Sequence, residues 1–215
     1  LLGLPRERVH PVGEGTGPFS SPASEEQVRA VREKWRIPAE YLLASGVGDP
    51  RKNLEFLGEV AGRLGRRLGR AVPVLAVGGG TPWIHANGGG NLEPPAGLRP
   101  LGHVEDEELR ALYTGAAAFC FPSCAEGFGR PPLEAMGCGT PAVVAPYGPA
   151  AEVLGGGARI VPLETEAWVD ALVPLLRDPG ERSRWSEQGR RVAREHTWDR
   201  VVDQVLRTCE GISGG

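Results

Sequence analysis

The 215-residue chain carries 24 Lys and Arg against 27 Asp and Glu, a formal net charge of -3. That balance leaves no chain-wide basic field for gripping a nucleic-acid backbone, although a local cluster of cations can still hold a small anion. The length suits a single compact domain over 1–215, and no apolar stretch approaches the ~20 residues of a membrane-spanning helix. The expectation is a soluble, cytoplasmic protein. Cysteines at 120, 124, 138 and 209 have neither zinc-site spacing nor the density of a disulfide scaffold, so they are expected to be small buried thiols. The opening "LLGLPRERV" has no Met and reads as the interior of a longer polypeptide.

In chain order, apolar runs of strand length alternate with amphipathic helical stretches, the pattern of a parallel sheet with helices on both faces. "SEEQVRAVREKW" opens on Ser24 with Gln27 three places later, a capping-box signature for a helix start. "YLLASG" reads as a buried strand ended by Gly46. Next, Leu54, Leu57, Val60, Ala61, Leu64 and Leu68 recur at helical spacing, and "VPVLAVG" is a second strand. The stretch from Gly78 to Gly97 is rich in Gly and Pro, with few residues able to form the crossover helix expected there. "EDEELRALYTGA" is a helix, "AAFCFP" a strand, "PPLEAMG" a short helix and "PAVVAP" another strand. From about Glu164 the chain reads as three helices, the first of which Pro174 should break or kink.

In open α/β sheets the loops at the carboxyl ends of strands carry ligands, and three such loops stand out. "SGVGDPRKN" brings Arg51 and Lys52 to the start of a helix, where two cations are unfavourable beside the helix dipole unless an anion offsets them. Arg51 offers a planar fork for phosphate oxygens and Lys52 a compact point charge. "AVGGGTP" allows close backbone approach at Gly78, but lacks both the Gly-Lys-Ser/Thr of a phosphate loop and a complete dinucleotide fingerprint. Nearby Trp83 and His85 read as incidental loop residues.

The third loop, "SCAEGFGRPPLEAMGCGTP", places Glu126 just past a strand end. Pro131 and Pro132 suit a first helical turn, with Glu134 in that turn beside free N–H groups that favour a phosphate. A carboxylate can accept hydrogen bonds from two adjacent sugar hydroxyls, so one ligand could carry both phosphate and sugar. A glycosidase pair stays open: it needs carboxyls about 5–10 Å apart, whereas eight residues of helix span roughly 12 Å unless the glycines fold back. A plain strand-to-helix connection stays open too. The acids Glu105 to Glu108 read as helix-start residues rather than a metal site.

"FPSCAEGFGRPPLEAMGCGTPAVVA" resembles the signature of retaining glycosyltransferases of the GT-B fold, specifically family 4, whose paired glutamates match Glu126 and Glu134. "YLLASGVGDPRKNLEFL", "LGHVEDEELRALYTGAAAFCFPS" and "AREHTWDRVV" are similar to other segments of that family's donor-binding half. The resemblance implies a Rossmann-like α/β domain, one half of a GT-B fold, with the acceptor-binding half absent. It implies that Glu126 holds the donor sugar's hydroxyls near the backbone of Gly127, Phe128 and Gly129, with Arg51 and Lys52 on the diphosphate. Glu134 would accept the ribose hydroxyls beside Leu133, and the base would lie between Gly78 and the segment Gly102, His103 and Val104. The implied partners are a nucleotide-diphospho-sugar and a carbohydrate, lipid-linked or small-molecule acceptor, with no metal or other cofactor. The full-length protein would be cytoplasmic, with a peripheral place at the inner membrane face. "GDPRKN" is reminiscent of members that handle mannose-type or deoxyhexose donors. The competing expectation is a non-catalytic nucleotide-binding or interaction module on the same fold.

Overall fold

The computed structural model describes residue 5 and residues 8–19, 21–79 and 94–213. Six strands form one parallel sheet: β1 (Leu42–Ser45), β2 (Val74–Val77), β3 (Leu98–Gly102), β4 (Ala118–Phe121), β5 (Ala142–Val144) and β6 (Ala158–Ile160). Their order is β3-β2-β1-β4-β5-β6. The chain therefore builds outward from β1 to one edge, returns to the other side of β1 and builds to the opposite edge, as in Rossmann-like folds. The helices described are α1 (Glu25–Trp35) before β1, α2 (Leu54–Leu68), α3 (Asp106–Gly115), α4 (Arg130–Gly137) and α5 (Ala150–Leu154) between strands, and α6 (Thr165–Arg177), α7 (Pro179–Ala193) and α8 (Trp198–Ser213) after β6.

Strand side chains alternate between two apolar cores. Leu43, Leu75, Val77, Phe119, Phe121 and Val144 pack with residues of α1, α3, α4 and α5. Leu42, Ala44, Val74, Ala76, Ala118, Cys120 and Val143 face α2 and α6. Because both faces are covered, β2, β4 and β5 are apolar at every position instead of every second one.

Local chemistry sets the helix ends. At α1 the Ser24 hydroxyl accepts from the Gln27 N–H (3.2 Å), and the Ser24 N–H donates to Gln27 Oε1 (2.9 Å), so the expected capping box is present. The apolar stripe of α2 buries Leu54, Leu57, Val60, Ala61 and Leu64. It lies against α6, which buries Trp168, Val169, Leu172 and Leu175. Arg63–Glu166 and Arg67–Asp170 (3.0 Å) bridge the solvent edge of that seam.

Several expectations need correction. Pro174 does not end α6, which continues to Arg177. Only one turn follows the proline, and its carbonyl still accepts the Asp178 N–H at 2.9 Å. Of the four thiols, Cys120 and Cys138 are buried, whereas Cys124 and Cys209 are exposed. Cys124 lies in the loop after β4 and Cys209 on the terminal helix α8, so neither is carried into a core. β3, β6 and α5 were not expected at all. Most of the Gly- and Pro-rich stretch, with Trp83 and His85, lies outside the described residues.

Leu64 is fully buried in the α2–α6 core. Leu64→Ala is expected to lower the unfolding free energy by about 2–5 kcal/mol in a urea titration. A loss below about 1 kcal/mol would show that this seam does not depend on it.

Candidate functional site

β1 pairs with β4, Leu42 opposite Ala118 and Leu43 opposite Phe119, at the point where the strand order reverses. The loops leaving their carboxyl ends flank the crevice where open α/β sheets bind ligands. In the first loop Gly46 (φ 95°) and Gly48 (φ 85°) turn the chain. Asp49 then caps a 3-10 turn over Pro50–Lys52, its Oδ1 accepting the Arg51 N–H at 2.9 Å. Arg51 and Lys52 thus sit in that turn, just before α2 begins, rather than in α2 itself.

The two cations are used differently. The Arg51 guanidinium is exposed and doubly bonded to Asp49, Nη2 to Oδ2 at 2.7 Å and Nε to Oδ1 at 3.2 Å. The Lys52 stem lies so close over Gly46 that any Cβ there would overlap it. Its Nζ stands 2.6 Å from Glu126 Oε1 and 4.7 Å from the centroid of the Phe121 ring. Only 14% of the Lys52 side chain and 12% of the Glu126 side chain are exposed. The Ser123 hydroxyl, with one proton to donate, lies within reach of both the Glu126 carboxylate and the Arg51 carbonyl (3.1 Å). The Cys124 N–H also donates to the Arg51 carbonyl, at 2.9 Å. These bonds join the two loops directly across the switch point.

Glu134 is displaced from its expected place. α4 starts at Arg130 after Gly129 (φ 97°), so Glu134 is the fifth residue and lies in the second turn. Pro131 and Pro132 remove two of the four N–H groups that a helix N-terminus normally leaves unpaired, so those of Gly129 and Arg130 remain for an anion. The Glu134 side chain is 10% exposed. Its Oε2 accepts from the Tyr113 hydroxyl (3.3 Å) and its Oε1 from Arg130 Nη2 (3.2 Å). Burial pushes its pKa above the ordinary 4.5, with Arg130 and Tyr113 partly opposing that effect. Arg130 also reaches Glu14 at 3.8 Å.

The remaining candidates divide. Gly78 (φ 98°) donates its N–H to the Gly102 carbonyl at 2.9 Å, bringing the ends of β2 and β3 together beside the Gly46 loop. Val104 is buried, and His103 is exposed with Nε2 3.8 Å from Glu105. Gly127 is exposed, and Phe128 is half-buried with its ring edge-on to His196 at 5.8 Å. Gly129 needs to be glycine both for its positive φ and because a Cβ would strike the Tyr147 hydroxyl. Leu133 turns its side chain into the core and can offer a ligand only backbone. Glu105 and Asp106 lie at the start of α3, and Glu108 pairs with Lys34 at 2.6 Å. Among the described residues no three His, Cys, Asp or Glu side chains cluster to hold a metal.

Sequence reasoning missed Tyr113, Ser123 and Tyr147. Only Ser123 carried a signal, its place three residues before Glu126 at a strand end.

The glycosyl transferases group 1 family model matches residues 28–192. The O-antigen chain mannosyltransferase B of Escherichia coli is 27% identical over 213 residues, covering 96% of this chain and 55% of that protein. A D-inositol 3-phosphate glycosyltransferase of Salinispora tropica is 31% identical over 209 residues, covering 86% of this chain and 42% of that protein. Among solved structures, sucrose-phosphate synthase from Thermosynechococcus elongatus superposes with a TM-score of 0.75 at 23% identity, over 96% of this chain and 53% of that one. Anabaena HepE, in complex with UDP-glucose, gives 0.71 at 19% identity, over 94% and 56%. The fold is that of one GT-B half, and the chain spans about half the length of the relatives it matches. With the family model covering most of its length, the chain belongs to the glycosyl transferases group 1 family.

Proposed function

We propose that the chain is the donor-binding half of a retaining, family 4 glycosyltransferase, taking a nucleoside diphospho-hexose whose acceptor is held by a second domain outside this chain. The observation that carries this reading is the 2.6 Å contact of Lys52 Nζ with Glu126 Oε1 at the switch point. A cation suited to a diphosphate and a carboxylate suited to sugar hydroxyls occupy adjoining positions, as a ligand with sugar bonded directly to phosphate requires. In this reading Lys52, Arg51 and the N–H groups of Gly129 and Arg130 meet the diphosphate without a metal. Glu126 and the backbone of Gly127, Phe128 and Gly129 meet the sugar, Glu134 the ribose, and Gly78 with Gly102, His103 and Val104 the base. The names of the mannosyltransferase relatives make mannose the first hexose to test.

The chemistry follows from charge. As the bond from the anomeric carbon to phosphate oxygen breaks, negative charge grows on the diphosphate, where fixed cations and N–H dipoles are already aimed. The acceptor oxygen bonds to the anomeric carbon from the same face, and its proton passes to the departing phosphate oxygen. No protein nucleophile is required, so configuration is retained without a covalent intermediate.

Calorimetry over UDP-, GDP- and ADP-sugars is expected to find one that binds, with Lys52→Ala weakening it about tenfold or more through loss of a charge-assisted bond. No binding by any of them would sink the reading.

A second expectation concerns Glu134. Its folded-state pKa is raised, so the stability tied to its protonated form is present below pH 4.5 and lost as pH rises through that raised value. Gln never ionises. Glu134→Gln is therefore expected to melt above wild type at neutral pH, with the gap closing toward about pH 4, while its nucleotide affinity falls. A gap independent of pH would contradict the burial argument.

A further inference from the structure

We propose that Tyr113 and Arg130 are positioning residues that fix the Glu134 carboxylate as a two-oxygen acceptor for a vicinal diol, Tyr113 holding one oxygen and Arg130 the other. The inference rests on the ribose role given to Glu134 above.

A carboxylate presents two oxygens with about four lone-pair positions. The Tyr113 hydroxyl takes one position on Oε2 and Arg130 Nη2 takes one on Oε1. One position on each oxygen is left, which matches two neighbouring hydroxyls on one ribose. Both donors approach from protein, and the side chain retains 10% exposure, the opening through which a diol would reach the remaining positions.

The donors are themselves held. Tyr113 is 1% exposed, with its ring edge-on to Phe19 (5.9 Å) on one side and to Phe119 of β4 (5.4 Å) on the other. Its carbonyl accepts bonds from the Ala116 N–H (3.1 Å) and the Thr140 hydroxyl, so the backbone carrying the ring is pinned as well. Burial pushes the phenol pKa well above 10, which keeps the hydroxyl a donor throughout the accessible range. Arg130, more exposed, is steadied by Glu14. The other charged and titratable groups around this carboxylate are Asp106 on α3, which disfavours its ionised form, and Cys138 just past α4. The Cys138 thiol is pushed up to about 12 by burial and stays neutral, with Arg110 facing it.

A diol needs the ionised carboxylate with both oxygens accepting. Burial works against that state, and Tyr113 and Arg130 offset part of that effect. Tyr113→Phe keeps the ring packing and deletes only the hydroxyl, so the carboxylate takes up its proton at a higher pH than in wild type.

The test is calorimetry of the 215-residue chain with UDP, GDP and ADP, and with the 2′-deoxy form of the one that binds most tightly, at about pH 5 and about pH 8. For Tyr113→Phe the expected result is affinity within about twofold of wild type at the higher pH and about three- to tenfold weaker at the lower, the worth of one hydrogen bond. Equal losses at both pH values, or no loss at either, overturn the positioning role. Should Tyr113→Phe lose its near-ultraviolet circular dichroism, Arg130→Gln carries the test through its pH dependence alone: a loss larger at about pH 5 than at about pH 8 supports the role, and an equal loss at both overturns it. Glu134→Ala separates the two readings, because it should weaken the ribonucleotide, which loses two hydroxyl contacts, more than the 2′-deoxy form, which loses one. If Glu134→Ala binds both forms like wild type, the ribose reading falls and the positioning role with it. If Glu134→Ala weakens the ribonucleotide but Tyr113→Phe leaves the pH profile unmoved, only the positioning role falls.

Discussion

Leu42 and Leu43 lie in parallel register with Ala118 and Phe119, and from that pairing two loops leave the sheet side by side. Seventy-four residues separate Lys52 from Glu126 in sequence, yet the pairing of β1 with β4 leaves them 2.6 Å apart. Every group that can touch a ligand at the switch point inherits its position from this register. A slip by one residue would turn the strand side chains to the opposite face and carry both loops with them. The apolar run Leu42 to Ala44 of β1 and the all-apolar β4 serve stability on both faces, and they also fix the register to which the polar loops are attached.

The loops are built from residues chosen for backbone shape as much as for side chains. Gly46 and Gly129 both adopt positive φ, and in each case the space of a missing Cβ is filled by a neighbour: the Lys52 stem over Gly46 and the Tyr147 hydroxyl against Gly129. The glycines thus allow both the turn and the close approach of the side chain that follows. The two prolines after Gly129 act in the opposite sense, stiffening the helix start while removing two N–H donors from it. In the proposed reading an anion here would meet fewer backbone dipoles than at an ordinary helix N-terminus, so more of the charge compensation would rest on Lys52 and the exposed Arg51.

Much of the fold was legible because its signals are local. Ser24 and Gln27 announced α1 through a four-residue bond pattern, and the periodic leucines of α2 needed no knowledge of what covers them. β3 was hidden because "LRPLG" carries an Arg and a Pro, both poor strand signals, yet it forms an edge where Pro100 has no ladder partner to deprive on its outer side. β6 and α5 are too short, at three and five residues, for periodicity to register. The site was legible only as residue types in loops. That Lys52 would meet Glu126, and that Arg51 would turn back to Asp49, depends on loop geometry no spacing rule reports. Glu134 was placed in the first turn because the helix was read from Pro131, while the chain takes Arg130 as its first residue, and that one-position shift carries Glu134 into the second turn.

That shift changes what Glu134 can be. In the first turn it would have been a solvent-facing cap, with its charge favoured by the dipole and its orientation loose. In the second turn it points between α3 and α4, where burial disfavours its charge and two donors from different elements hold it. The ionised form of such a group costs the fold stability at neutral pH, a cost that its bonds to Tyr113 and Arg130 offset only in part. Residues that break the local rule of an apolar interior in this way belong to sites where a fixed orientation matters more than stability. Lys52 and Glu126 satisfy each other across the crevice, whereas the Glu134 carboxylate is held by one donor from α3 and one from α4, which sets its orientation within the fold itself.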